Sequence, residues 1–232
     1  MIIIKYEIII FDADETLFDF KKSEKKAFEN TIIDFGITYD ENYHFKIYKE
    51  INTAIWKELE GGLITQKKLK TERFKRLSKK LNIQFNEGEF AKLFMKYLSQ
   101  ASFLYENTTD LVKDLAKDYR LTIITNGLSA VQDNRIKKSV IAEYFEDIVV
   151  SEEIGVSKPN PEIFQHALNN INYTHKSKVL IVGDSLTSDI QGGINFGIDT
   201  CWFNPAMDLN EIGIEPTYTI SDLMELKEIL KN

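Results

Sequence analysis

The sequence predicts an α/β fold in which a doubly wound parallel sheet carries an inserted helical domain. Three observations support this prediction. Short apolar runs end in acidic residues or glycine, helical patterns separate these runs, and a long stretch after the first run has helical patterns only. Alternation of strand and helix is typical of a parallel sheet with helices on both faces.

The composition is that of a globular protein with a sizeable buried core. Of the 232 residues, 43% are hydrophobic and 28% are charged. The net charge of −7 argues against a nucleic-acid partner, because such proteins gather Lys and Arg against phosphates. The N-terminal apolar run is too short to span a bilayer, and the single Cys201 fits a reducing compartment. We therefore expect a cytoplasmic monomer or homodimer with no membrane partner.

Strands are predicted where apolar residues run without a break, as in strands that are buried on both faces. They lie at residues 6–11, 120–125, 147–150, 178–182 and 199–203. Helical spacing of apolar residues follows at 107–117, 130–139, 161–170, 188–196 and 221–230. Ser221 is the predicted N-cap of the last helix.

The inserted segment lies between the first strand and residue 107. Four amphipathic helices are predicted in it, at residues 23–35, 41–59, 66–81 and 87–102. A crossover between parallel strands needs only about a dozen residues, so this segment is long enough to form a domain. We predict a core of residues 1–16 and 106–232 and a helical cap of residues 17–105.

Acidic residues follow two of the predicted strands directly. Asp12 and Asp14 come after the first strand, and Asp184 comes after the strand that precedes Gly183. Ligands of open α/β sheets bind beyond the carboxyl ends of the strands. Carboxylates this close raise each other's pKa unless a cation lies between them, and Mg²⁺ prefers oxygen ligands. We predict a Mg²⁺ site here, with Asp12 attacking phosphorus and Asp14 protonating the leaving oxygen.

Further polar residues lie at predicted turns and helix starts. Thr125 and Asn126 offer a hydroxyl and backbone N–H groups before a helix, as in a phosphate-binding turn. Lys158, in an extended Pro-rich segment, can reach inward and balance the aspartates. Asp189 is predicted to orient Asp184, a ligand water or Lys158. N-capping by Asp189 or its neighbours is the alternative.

Taken in order, these residues resemble the four motifs of the haloacid dehalogenase superfamily, and the resemblance covers the whole chain. The motifs are Asp12-x-Asp14-x-Thr16, Thr125-Asn126, Lys158, and Gly183-Asp184 through Asp189. The resemblance implies a Rossmann-like core with a C1-type cap that closes over the site. The implied roles are Asp12 as nucleophile and metal ligand, Asp14 as general acid/base and main-chain metal ligand, Thr125 as phosphate binder, Lys158 as charge balancer, Asp184 as metal ligand and Asp189 as support of the metal site.

The resemblance also implies a substrate class. Asp14 favours phosphatases, because the dehalogenases of the superfamily lack this second aspartate. The segments FDADETLF, SEEIGVSKPNPEIF and GDSLTSDIQGG are most similar to the YjjG-type pyrimidine 5′-nucleotidases, which implies a nucleoside monophosphate substrate. Phe18 and Trp56 are candidates for stacking on its base, although aromatic residues usually belong to the core.

Two other functions are compatible with the same motifs. The first is a phosphatase or phosphomutase that acts on a small sugar phosphate or on phosphoglycolate. The second is a binding or regulatory protein that retains the fold without turnover.

Overall fold

The chain divides into two compact units in a computed structural model that describes residues 5–231. The core unit comprises the residues up to Phe20 and from Ser102 onward, and the helical unit comprises Lys21–Ala101. These boundaries lie a few residues inside the predicted 17–105. The reason is that the Phe18 backbone pairs with Leu104, which keeps both flanking segments in the core unit.

The core unit contains a six-stranded parallel sheet, which confirms the predicted fold class. Its strands are β1 (Ile8–Phe11), β2 (Arg120–Thr125), β3 (Asp147–Val150), β4 (Val179–Gly183), β5 (Asp199–Phe203) and β6 (Tyr218–Ile220). Their order is β3-β2-β1-β4-β5-β6. The chain therefore moves outward from β1 to β3 and then returns to the other side of β1. Such a switch point opens a crevice at the carboxyl end of the central strand.

The part of the chain that the structure describes also contains ten α-helices. They are α1 (Phe20–Asp34), α2 (Lys46–Glu60), α3 (Gln66–Leu81), α4 (Glu87–Gln100), α5 (Thr108–Leu115), α6 (Ser129–Arg135), α7 (Ser151–Ile154), α8 (Pro161–Asn170), α9 (Gln191–Phe196) and α10 (Leu226–Lys231). Within residues 5–231, no helix combines the length and apolarity needed to cross a membrane.

The sheet is buried on both faces. Ile9 and Phe11 of β1 face one apolar cluster, and Ile8 and Ile10 face the other. All four side chains are fully buried, and full burial of such a side chain contributes about 1.5–3 kcal/mol. Alternating residues of one strand thus hold a helical layer on each side of the sheet.

Some predicted elements differ from the observed ones. The sequence analysis missed β6, which is a three-residue edge strand. The last helix is capped by Asp222 rather than Ser221, because Asp222 forms a capping box with Glu225. The helices predicted at 41–59 and 188–196 begin as π-helical turns, at Glu41–Phe45 and Leu186–Ile190.

A buried polar cluster lies inside the helical unit. The Glu24 carboxylate accepts hydrogen bonds from the Tyr48 hydroxyl at 3.0 Å and from Asn52 Nδ2 at 2.7 Å. The Asn52 side-chain oxygen accepts one from Arg73 Nη1 at 3.2 Å. Glu24 and Arg73 are both buried, and the network gives each of these charged groups a hydrogen-bond partner.

Candidate active site

Asp12 lies at the carboxyl end of β1, next to the switch point of the sheet. Its backbone N–H donates to Val182 O at 2.8 Å, which ties it to the end of β4. Its buried carboxylate accepts a hydrogen bond from Lys158 Nζ at 2.5 Å. Burial raises the pKa of Asp12 to about 6, although Lys158 acts in the opposite direction. The lysine therefore favours the carboxylate form, which is the nucleophilic one.

Lys158 Nζ has three oxygen partners, of which Asp12 is the first. Its Nζ also donates to Ile124 O at 2.7 Å and pairs with Asp189 Oδ1 at 2.8 Å. Burial alone would lower the pKa of Lys158, but the carboxylates of Asp12 and Asp189 outweigh burial and raise it. The ammonium group is therefore charged at neutral pH, as its predicted role as charge balancer requires.

The Asn126 side chain is used to position Lys158. Asn126 Nδ2 donates to Lys158 O at 2.9 Å, and Asn126 Oδ1 accepts from Lys158 N at 2.9 Å. Lys158 thus engages the amide oxygen and one of the two N–H groups of Nδ2, which leaves the second side-chain N–H and the backbone N–H of Asn126 for a phosphate. Its predicted role in phosphate binding is not tested by these contacts and stays a prediction.

Three carboxylates form an acidic cluster beside Lys158. One oxygen each of Asp12, Asp184 and Asp189 lies within 4.8 Å of the others. Burial, together with Asp12 and Asp189, raises the pKa of Asp184 to about 8. One lysine does not balance three carboxylates, and a divalent cation would relieve their repulsion. The donor set, all oxygen, is the set that Mg²⁺ prefers.

The members of the acidic cluster differ in how free they are to bind a metal. Asp189 is almost fully buried, its Oδ2 accepts from Ser185 N at 3.0 Å, and its Oδ1 faces Lys158. The half-buried Asp184 carboxylate accepts no hydrogen bond from residues 5–231. This arrangement favours Asp12 and Asp184 as ligands and Asp189 as their support. The Asp14 side chain is outside the cluster, so a metal role for Asp14 would use its main-chain oxygen.

Gly183 makes room for Asp189. A Cβ atom at position 183 would collide with the Asp189 carboxylate. A π-helical turn, begun by the Ser185 side chain, which accepts from Ser188 N at 3.2 Å, brings Asp189 back over the end of β4. The predicted N-cap alternative therefore applies to Ser185 and not to Asp189.

Asp14 is held by two residues that the sequence analysis did not single out. Arg135 forms an ion pair with the Asp14 carboxylate, and Gln132 Nε2 donates to Asp14 Oδ2 at 3.0 Å. Both partners are buried on α6. The sequence does contain a signal for them. They are three residues apart on one helix face, directly after the Thr125 turn, and polar residues on a buried face need partners.

Thr125 lies at the end of β2, with its hydroxyl buried against Gln132. Gln132 Nε2 lies 3.3 Å from Thr125 Oγ1, so one amide group contacts both Thr125 and Asp14. A Cβ at Gly127 would collide with the Gln132 side chain. The absence of a side chain at position 127 therefore lets Gln132 reach the end of the strand.

The two aromatic residues predicted to stack on a base lie in different surroundings. Phe18 is fully buried in the core unit, and the Arg135 guanidinium lies 5.2 Å from its ring centroid. Its ring packs inside the protein, and its contact with substrate stays a prediction. Trp56 is half-buried in the helical unit and packs against Ile55, Ile64 and Leu69. Its contact with substrate stays a prediction.

At the switch point of a doubly wound sheet the structure brings together a buried aspartate, a lysine and an acidic cluster, an arrangement that indicates a hydrolase with an α/β fold. The chain belongs to the haloacid dehalogenase-like hydrolase family, whose sequence profile matches residues 9–203. The family resemblance seen in the four motifs is thereby confirmed.

Relatives match over nearly their full lengths. The chain is 35% identical to the pyrimidine 5′-nucleotidase YjjG of Escherichia coli, over 97% of this chain and 98% of that protein. It is also 35% identical to the pyrimidine 5′-nucleotidase PynA of Streptococcus pneumoniae, over 97% and 95%. A crystal structure of the HAD-hydrolase YfnB of Bacillus subtilis, bound to magnesium, superposes with a TM-score of 0.91 at 35% identity, over 97% of this chain and 99% of that one.

Proposed function

We propose that the protein is a Mg²⁺-dependent phosphomonoester hydrolase that works through an aspartyl-phosphate on Asp12. The observation that carries the proposal is the buried Asp12 carboxylate, 2.5 Å from Lys158 Nζ and within the acidic cluster. We further propose pyrimidine nucleoside monophosphates as substrates. The identity to YjjG and PynA, both named pyrimidine 5′-nucleotidases, supports this class.

The first half of the reaction transfers the phosphoryl group to the protein. An Asp12 carboxylate oxygen attacks phosphorus, and the bond between phosphorus and the leaving oxygen breaks. Asp14 gives its proton to that oxygen, so the nucleoside leaves as an alcohol. Lys158 stabilises the negative charge of the phosphoryl oxygens, and Thr125 donates its hydroxyl to one of them.

The second half regenerates the protein. Asp14, now a carboxylate, takes a proton from a water molecule that attacks phosphorus. The bond between phosphorus and Asp12 breaks, phosphate is released, and Asp12 is again a carboxylate. Mg²⁺, when bound by Asp12 and Asp184, supplies positive charge against the phosphoryl oxygens. The helical unit is proposed to serve as the cap that selects the substrate.

Phosphate release from dTMP, dUMP, phosphoglycolate and glucose phosphates, each with Mg²⁺ and with chelator, tests both parts of the proposal. We expect hydrolysis that chelator abolishes and that is fastest with the nucleotides. If phosphoglycolate or the glucose phosphates are hydrolysed faster than the nucleotides, the proposed mechanism stands, but the proposed nucleotide substrate is wrong. If none of these substrates is hydrolysed, the proposed phosphomonoester hydrolase activity is wrong.

The variant Asp12→Asn tests the covalent route. The amide is nearly the same size as the carboxylate but is a poor nucleophile, so we expect loss of turnover in a protein that still folds and unfolds cooperatively. Asp118→Asn, at an exposed aspartate of the same unit, is the matched control and should retain wild-type turnover. Comparable activity in both variants would exclude an aspartyl-phosphate on Asp12.

A further inference from the structure

Arg135 is a fully buried arginine in the core unit, at the last position of α6. Its guanidinium lies 5.2 Å from the ring centroids of both Phe18 and Phe20 and forms an ion pair with the Asp14 carboxylate. Burial lowers the pKa of Arg135 to about 10, so the group is still charged at neutral pH. A full positive charge is therefore held inside the protein against Asp14.

This burial is difficult to explain by stability alone. A buried ion pair seldom stabilises a fold more than apolar side chains of the same volume would, because both charges lose their hydration. Two aromatic rings offset part of that cost for the guanidinium. An apolar side chain at position 135 would fill the same space without any cost of desolvation. What only the arginine provides is a fixed charged partner for Asp14.

Gln132 holds the same carboxylate from a second direction. Its Nε2 is 3.0 Å from Asp14 Oδ2 and 3.3 Å from Thr125 Oγ1. Each Asp14 oxygen thus faces one α6 residue, since Arg135 is paired with Oδ1. The carboxylate, whose side chain is still 24% exposed, cannot rotate without losing one of these contacts.

We propose that Arg135 and Gln132 are positioning residues that hold the Asp14 side chain in place for proton transfer to the leaving oxygen. The ion pair by itself favours the carboxylate form of Asp14, and the anionic phosphate of a bound substrate would act in the opposite direction, toward the protonated form that donates. The inference rests on the proposed function, in which Asp14 is the general acid. Neither residue is proposed to contact the substrate. Their loss should therefore affect kcat more than KM, and it should do so only where the leaving group needs a proton.

Two substrates with different leaving groups test the inference. Nitrophenolate leaves without a proton, whereas the nucleoside of dTMP needs one. General acid catalysis contributes about 10²- to 10⁴-fold, so misplacing the acid should lower the ratio of kcat for dTMP to kcat for nitrophenyl phosphate by at least about tenfold. We expect this in Gln132→Leu and in Arg135→Lys, with KM values within about threefold of wild type. Arg120→Lys, at an arginine whose ion pair with Glu146 is exposed, and Gln165→Leu, on the surface of α8, are the controls and should keep the wild-type ratio.

A double-mutant cycle with Asp14→Asn separates positioning from packing. If both residues act through Asp14, adding Gln132→Leu to Asp14→Asn should change the ratio by less than about twofold, because interacting sites are not additive. Thermal melts establish that each variant folds. If Arg135→Lys does not fold, the ratio measured for Gln132→Leu tests the inference alone, since that substitution removes no charge.

Three outcomes would overturn the inference. A folded variant that loses activity equally on both substrates shows a structural role, and the proposed function survives. A ratio that falls equally with and without Asp14 shows that the effect does not pass through Asp14. A wild-type protein that hydrolyses neither substrate refutes the proposed function itself, and the inference with it.

Discussion

Replacing Lys158 by Met should lower the stability of the core unit strongly. The methionine has nearly the same length and fills the same space, but it removes the positive charge that Asp12 and Asp189 face at 2.5 and 2.8 Å. The two carboxylates and Asp184 would then lie together without the cation that contacts two of them. The cost therefore comes from uncompensated charge rather than from lost packing.

The magnitude follows from the burial of the pair. Lys158 and Asp189 side chains are each 1% exposed and Asp12 is 10% exposed. Removing one partner of a pair that is buried to this extent costs about 3–5 kcal/mol. In a domain of 150–250 residues, each kcal/mol shifts the melting temperature by about 2–4 °C. We therefore expect Lys158→Met to lower the melting temperature by about 6–20 °C.

Calorimetry in the presence of chelator measures this effect, because a bound metal would supply some of the missing charge. Lys117→Met is the control, since Lys117 pairs with Asp114 at 2.8 Å with 65% of its side chain exposed. Exposed pairs contribute little, and the control should melt within about 2 °C of wild type. A Lys158→Met variant that melts with the control would show that Lys158 does not carry the charge balance of this site.

Three further predictions concern groups away from the phosphoryl site. Glu24→Gln should lower the free energy of unfolding of the helical unit by about 1–3 kcal/mol, because the buried hydrogen bonds lose their charged acceptor. Urea melts measure this change. Lys49→Met, at the partly exposed partner of Glu24, is the control and should have a smaller effect. Burial raises the pKa of Cys201 to about 12, so Ellman's reagent should react with its thiol only after unfolding, and rapid reaction in the native state would contradict its burial. Hydrogen bonds from Lys117 and Lys227 lower the pKa of Asp114 to about 2. The contribution of Asp114 to the free energy of unfolding is therefore present above its unfolded pKa of about 4 and is lost as the pH falls through about 2. The stability difference between wild type and Asp114→Asn should therefore vanish over that window, and a difference independent of pH would exclude the ion pairs as its cause.

The strand ends were the part of the site that could be predicted from sequence. A continuous apolar run followed by aspartate has few interpretations, because buried strands rarely end in charge without a partner. The positions of Asp12 and Asp184 beside one another follow from the parallel sheet alone, since adjacent strands end at the same edge. The α/β class and the helical insertion were predictable for the same reason, as both depend on local periodicity.

The contacts that orient the site were not predictable from local patterns. Gln132 and Arg135 reach Asp14 across 118 and 121 residues of chain, and which helix face meets which strand end is decided by tertiary packing. The helix predicted at 130–139 ends at Arg135. The prediction was too long at this end because the apolar spacing continues beyond the helix. The burial of Phe18 could not be predicted either, because an aromatic residue next to a motif is compatible with substrate contact as well as with core packing.

Gly127 and Gly183 have a shared consequence for any attempt to redesign this protein. Neither has a positive φ, so each is constrained by volume rather than by backbone conformation. Each glycine leaves the space that a polar side chain on the next turn of chain enters, Gln132 in one case and Asp189 in the other. The four positions therefore form two linked pairs. A library that varies them independently would include many combinations in which the partner side chain must move out of the site, whereas one that varies each glycine together with its partner would avoid these overlaps.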